Sequence, residues 1–79
     1  MERRLSELEP GEKGVVVRIG GSRSTRRRIM DMGVVRGAAI RVVRRAPLGD
    51  PVEFDIKDYN LSLRKREAGN VYVELEGGK

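Results

Sequence analysis

Three stretches of this chain hold side chains that can do chemistry, and two absences limit what that chemistry can be. The 79 residues include no histidine and no cysteine. That removes the commonest proton shuttle and transition-metal ligand, every thiolate site and any disulfide. The first stretch is Glu53 and Asp55, two apart and so on one face of a strand whose inward residues are Val52, Phe54 and Ile56. Such a pair can hold a hard cation weakly through carboxylate oxygens. A tight transition-metal site needs softer donors, so a solvated strand face is the expectation and no metal or cofactor site is assigned.

The second stretch is Arg26, Arg27 and Arg28. Ser24 reads as a helix cap and Gly33 as a left-handed stop, which predicts a helix over Thr25 to Met32. At 100° per residue Thr25, Ile29 and Met32 share its buried stripe, Arg26 and Met30 flank it, and Arg27, Arg28 and Asp31 point away. Three arginines in a first turn oppose the helix dipole, a broken local rule that marks a place to look for partner binding. An arginine-rich chain also presents such a run simply as a solvated face.

The third is the loop Ala46 to Pro51. It is too long for a two-residue hairpin and carries Pro47 and Pro51, so it predicts a stiff loop with Leu48 exposed at its tip and Gly49 and Asp50 completing the turn. Leu48 is the expected apolar anchor for a partner and the arginines the steering charges. The expected partner-binding set is therefore Arg26, Arg27, Arg28, Pro47, Leu48, Gly49 and Asp50.

The elements that must position these groups are short. A chain of this length allows one domain, taken as residues 1–79 with an ordered core of about 5–75, and buries only about 60% of its unfolded surface. Ten valines and four isoleucines favour pleated strands. Leu5 to Glu9 reads as one helical turn, with Ser6 and Glu9 at capping-box spacing and Leu5 and Leu8 facing in. Strands follow at Gly14 to Ile19, with Val15, Val17 and Ile19 on the buried face, and at Ala38 to Arg45, with Ile40 and Val42 inward and Val43 between strands or under the loop. Further strands run from Val52 to Ile56, over Leu61 to Leu63 after a turn at residues 57–60, and through Val71, Val73 and Leu75. Arg64 to Ala68 reads as one polar turn and residues 77–79 as a frayed end. About five strands and one short α-helix give a mainly β fold, a small closed barrel of SH3-like or OB-like type.

Charge narrows the partners. The net charge is +5, and Arg18 to Arg45 holds nine basic residues against Asp31 alone. Nucleic acid, an anionic membrane surface and an acidic protein all answer to such a potential. One Phe and two Tyr are few for stacking bases. No apolar run approaches the roughly 20 residues of a membrane helix, and the start carries no apolar signal-peptide core, so the expectation is a cytoplasmic protein without membrane insertion.

Three runs together resemble the FeoA family, the small cytoplasmic component of bacterial and archaeal ferrous iron uptake. They are LSELEPGEKGVVVRI from Leu5, RRRIMDMGVVRGAAIRVVRRAPLGDPVEF from Arg26 and LSLRKREAGNVYVE from Leu61. The most specific pieces are APLGDP, the paired glycines Gly33 and Gly37, and LSLRK. Arg36 stands where the family usually has proline, and Asp58 where glycine is common. The resemblance implies an SH3-like barrel related to the C-terminal domain of repressors of the diphtheria-toxin-repressor type. It also implies a partner in the membrane transporter FeoB, whose cytoplasmic part is a GTPase, and an adaptor or regulator role without catalytic residues. Transition-metal binding is a family association only. On this reading no specific nucleic acid is a partner; the alternative is a small basic nucleic-acid-binding β-barrel.

Overall fold

The computed structural model describes residues 1–57 and 59–75. Its strands are β1 (Glu2–Arg4), β2 (Lys13–Ile19), β3 (Ala39–Arg45), β4 (Val52–Ile56), β5 (Tyr59–Leu63) and β6 (Val71–Leu75). Helix α1 spans Arg23–Asp31 and α2 spans Lys65–Ala68. Every strand pairing is antiparallel, and the sheet runs in the order β1-β6-β2-β3-β4-β5. This is a small SH3-like barrel with one strand more than expected.

The extra strand is β1. Its sequence, Glu2-Arg3-Arg4, carries no apolar signal, yet it pairs with β6 through Arg3 opposite Val73 and Arg4 opposite Tyr72. The sheet does not close through its own hydrogen bonds among the described residues, because β1 and β5 each pair along one edge. Instead α2 packs against both β5 and the 3-10 turn Leu5–Glu7 that follows β1. The short helix covers the opening that a free sheet edge would leave.

The core follows the alternation where the strands are regular. Val52, Phe54 and Ile56 are buried, as are Ile40, Val42, Val71 and Val73, and Leu5 and Leu8 face in as expected. Two bulges break the pattern. Between β2 and β6 the register shifts from Val16 opposite Val73 to Arg18 opposite Tyr72, leaving Val17 unpaired. The buried residues of β2 are Gly14 and Val16, while Val15, Val17 and Ile19 are half-buried. Between β3 and β4 the register slips between Val42 and Arg44, and Val43 lies exposed, on the face opposite the buried Ile40 and Val42, rather than beneath the loop. An inserted residue adds local twist, which a six-stranded sheet of this size needs to curl.

The helix starts earlier than the sequence suggests. Ser22, not Ser24, is the cap: its backbone is extended and its hydroxyl accepts the Thr25 N–H at 3.2 Å. The end is as expected. Gly33 has φ +97°, its N–H donates to Met30 O at 2.9 Å, and the Val34 N–H reaches Ile29 O at 3.4 Å. That is a Schellman motif, sealed by contact in the core between the fully buried Ile29 and Val34.

Three smaller readings change. Ser6 and Glu9 form no capping box; the Arg4 N–H donates to Glu7 Oε1 at 3.3 Å, so the pairing sits two residues earlier. Tyr59 and Asn60 belong to β5 rather than to a turn. The segment after β5 is not wholly polar, because Glu67 and Ala68 are buried. Asp58 and the expected frayed end at residues 77–79 lie outside the described residues.

Candidate functional site

The loop after β3 is built from its own backbone. The Ala46 N–H donates to Pro51 O at 3.0 Å and closes the loop, while the Gly49 N–H donates to Ala46 O at 2.7 Å and makes the turn. Gly49 sits at φ +89°, where a side chain would be strained. These bonds hold Leu48 at the tip with 97% of its surface exposed. Beside the loop lies a hollow of about 440 Å³ lined by Pro47, Pro51, Arg44 and Ser62 among others.

Asp50 has a different place from the rest of the expected set. Its Oδ1 accepts the Lys65 N–H at 2.8 Å and so anchors the start of α2 to the loop. This carboxylate positions the scaffold. Pro47, Leu48 and Gly49 remain as the outward part of the loop.

The three helix arginines separate. Helix α1 begins at Arg23, so Arg23 and Arg26 occupy its first turn and Arg28 its last, where a cation suits the dipole. Residues two apart on a helix face nearly opposite ways. Arg28 turns toward α2, with Nη1 3.3 Å from Glu67 Oε2. Arg26 turns to the other flank, into a groove shared with Val17, Arg18, Ile19, Met30 and Arg36. Arg27 is exposed between them.

Arg28, α2 and the loop nevertheless form a connected path. Glu67 Oε1 accepts the Arg64 N–H at 2.9 Å while Oε2 faces Arg28, and Lys65 in the same turn donates to Asp50. The loop and the helix therefore meet on α2 rather than on each other.

The basic half is smaller in space than in sequence. Of the nine cations between Arg18 and Arg45, Arg18, Arg28, Arg41, Arg44 and Arg45 pair with Glu2, Glu67, Asp55, Glu53 and Glu9 respectively. Arg23, Arg26, Arg27 and Arg36 take part in no ion pair among the described residues. Within that stretch the unneutralised charge thus lies on α1 and the turn before β3.

The carboxylate pair on β4 also looks different from its sequence. Glu53 Oε1 lies 2.7 Å from Arg44 Nε and Asp55 Oδ2 lies 2.9 Å from Arg41 Nη2, both cross-strand, and Asp55 additionally accepts from the Asn60 amide. A cation would have to displace two guanidinium groups. Among the described residues no cluster of three or more His, Cys, Asp or Glu side chains is placed to hold a metal ion.

Tyr72 was missed as part of a basic surface because it lies far from the arginine run in sequence. In the sheet it sits between Arg4 of β1 and Arg18 of β2, whose guanidinium carbons lie 5.7 and 4.0 Å from its ring centroid. Strand order, which the sequence does not state, is the only signal for this arrangement.

A family model, the FeoA domain, matches residues 3–75. A fusion of Fe(2+) transport protein A with the Fe(2+) transporter FeoB from Porphyromonas gingivalis is 51% identical over 72 residues, covering 91% of this chain. The chain spans 8% of that relative's length. The solution structure of a FeoA-like protein from Clostridium acetobutylicum is 43% identical, with a TM-score of 0.88 over 95% of this chain and 87% of that one. The FeoA of Stenotrophomonas maltophilia, an SH3 domain protein crystallised with zinc, is 29% identical, with a TM-score of 0.76 over 94% of this chain and 89% of that one. The fold alone recurs in a manganese-dependent transcriptional repressor, 21% identical, with a TM-score of 0.86 over 94% of this chain and 41% of that one. That likeness is one of fold.

Proposed function

The chain belongs to the FeoA family, and from that premise we propose that it is a non-enzymatic accessory protein of ferrous iron uptake, docking on the cytoplasmic part of a FeoB-type GTPase transporter. The observation that carries this reading is the relative in which an A-type protein and the transporter are one polypeptide. Covalent linkage keeps two modules at high effective concentration, an arrangement that suits modules acting on one another. No helix among the described residues is long and apolar enough to cross a membrane. In this reading the transporter supplies the membrane-spanning part and the present chain works on its cytoplasmic side.

Leu48 is the natural anchor, since a rigid loop that holds an apolar side chain in water loses little entropy when that side chain enters a pocket. Pro47 and Gly49 shape the tip, Asp50 locks the loop to α2, and Arg26, Arg27 and Arg28 set the field through which the partner approaches. The test is association of the purified protein with the cytoplasmic part of the transporter from the same organism, followed by biolayer interferometry over a range of salt. Saturable binding whose association rate falls with salt is expected. Absence of saturable binding at every salt concentration overturns the reading.

A further inference from the structure

On the far flank of α1, away from α2, is a groove of about 390 Å³ lined by Val17, Arg18, Ile19, Arg26, Met30 and Arg36. We propose that this groove is a second binding site, for an acidic protein segment that inserts one apolar side chain.

The groove exists because of the bulge at Val17. In a regular strand Val17, Arg18 and Ile19 would alternate between faces, but the unpaired residue turns the strand so that all three line one hollow. From the helix come Arg26 and Met30, one turn apart. Val17 and Ile19 are half-buried and Met30 is 40% exposed, which leaves apolar surface open at the floor.

The rim gives the sign of the ligand. Arg18 is held in place by Glu2 at 3.0 Å and by stacking on Tyr72, whereas Arg26 and Arg36 have no ion pair among the described residues. Two unneutralised guanidinium groups facing an apolar floor fit carboxylates on either side of an aliphatic side chain. A phosphate backbone would use the rim and leave the floor empty. Bases need an aromatic platform, and the ring of Tyr72 is already engaged by Arg18 and Arg4.

This site is separate from the Leu48 loop. Arg36 precedes β3 and Pro47 follows it, so the length of a seven-residue strand, about 20 Å at the usual rise, lies between them.

The experiment uses the whole protein, labelled with nitrogen-15, and three probes. They are a short peptide of glutamate and aspartate around one central leucine, the same peptide with serine for leucine, and vesicles of phosphatidylserine. A single-stranded oligonucleotide of mixed sequence serves as a fourth. Expected are saturable amide shifts from the leucine peptide confined to residues 17–19, 26, 30 and 36. Affinity should fall at least about tenfold with the serine peptide and again in the Arg26→Glu, Arg36→Glu double variant. Leu48→Ala should leave peptide binding unchanged, which keeps a failure here distinct from a failure of transporter docking. The proposal is overturned by absent shifts, by equal binding of the serine peptide, or by shifts spread over all basic residues. Tighter binding of vesicles or oligonucleotide through the same residues overturns it as well.

Discussion

Arg28 Nη1 stands 3.3 Å from Glu67 Oε2 across the seam between α1 and α2, with 70% of the arginine side chain exposed and only 9% of the glutamate. The burial is one-sided. A carboxylate so nearly buried depends on its partners, here Arg28 and the Arg64 N–H.

Arg28→Ala should therefore lower stability by about 0.5–1 kcal/mol, the upper part of the range for pairs that reach solvent. Arg28→Glu should cost more, since it sets two carboxylates against each other. Arg23→Glu should do the reverse and stabilise by about 0.3–1 kcal/mol, because it puts an acid in the first turn of α1 and breaks no ion pair among the described residues. Urea unfolding of the three variants measures the contrast. Equal effects at positions 23 and 28 would show that Glu67 does not select Arg28.

A second expectation concerns Gly33. It combines φ +97° with a site where an added Cβ would collide with the hydroxyl of Tyr59, and that hydroxyl donates to Met32 O at 2.6 Å. Gly33→Ala should destabilise by at least about 1–2 kcal/mol from backbone strain alone, with the collision added. Tyr59→Phe should cost about 0.5–1.5 kcal/mol for the lost bond. The double variant should be less destabilised than the sum, because removing the hydroxyl removes the clash. Strict additivity in thermal unfolding would mean that α1 and β5 do not meet through this contact.

What the sequence conveyed, and what it did not, follows from how far each signal reaches along the chain. The alternation of Val52 to Ile56 and the two prolines around Leu48 are local, and both the strand and the exposed tip lie where they point. β1 is three polar residues that form a strand only because β6 offers an edge. Both bulges depend on pairing with a distant strand, so Val17 could not be oriented from alternation, whereas Val43 lies outward as alternation with Ile40 and Val42 places it. Ser22 and Ser24 are both good caps, and the extended backbone at Ser22 decides between them. The basic surface shrank because the acids that neutralise it, Glu2, Glu9, Glu53, Asp55 and Glu67, come from elsewhere in the chain.

The metal expectation now rests on geometry as well as ligand type. With Glu53 and Asp55 each bonded to an arginine on β3, ferrous iron or zinc should bind weakly and without fixed stoichiometry. Glu53→Gln and Asp55→Asn should lower stability slightly and leave metal uptake unchanged. Anaerobic titration calorimetry that found one stoichiometric site of submicromolar affinity would contradict this.

The loop allows folding and docking to be separated within three residues. Leu48 makes almost no intramolecular contact, with 97% of its surface exposed, so Leu48→Ala should leave the unfolding midpoint nearly unchanged. If the tip anchors the transporter, the same change should weaken association by about 1–3 kcal/mol, mainly through faster dissociation. Asp50→Ala should show the opposite balance. It removes the acceptor for the Lys65 N–H, which loosens α2 and should lower stability by about 1 kcal/mol. Its effect on binding should follow from how far the loop loses its fixed position. Replacing Arg27 by Glu adds a third signature: slower association with weaker salt dependence, and no change in dissociation. Interferometry and melting curves on the three variants test the assignment together. Unchanged dissociation in Leu48→Ala would remove the loop from the docking surface, whatever the arginine variant did.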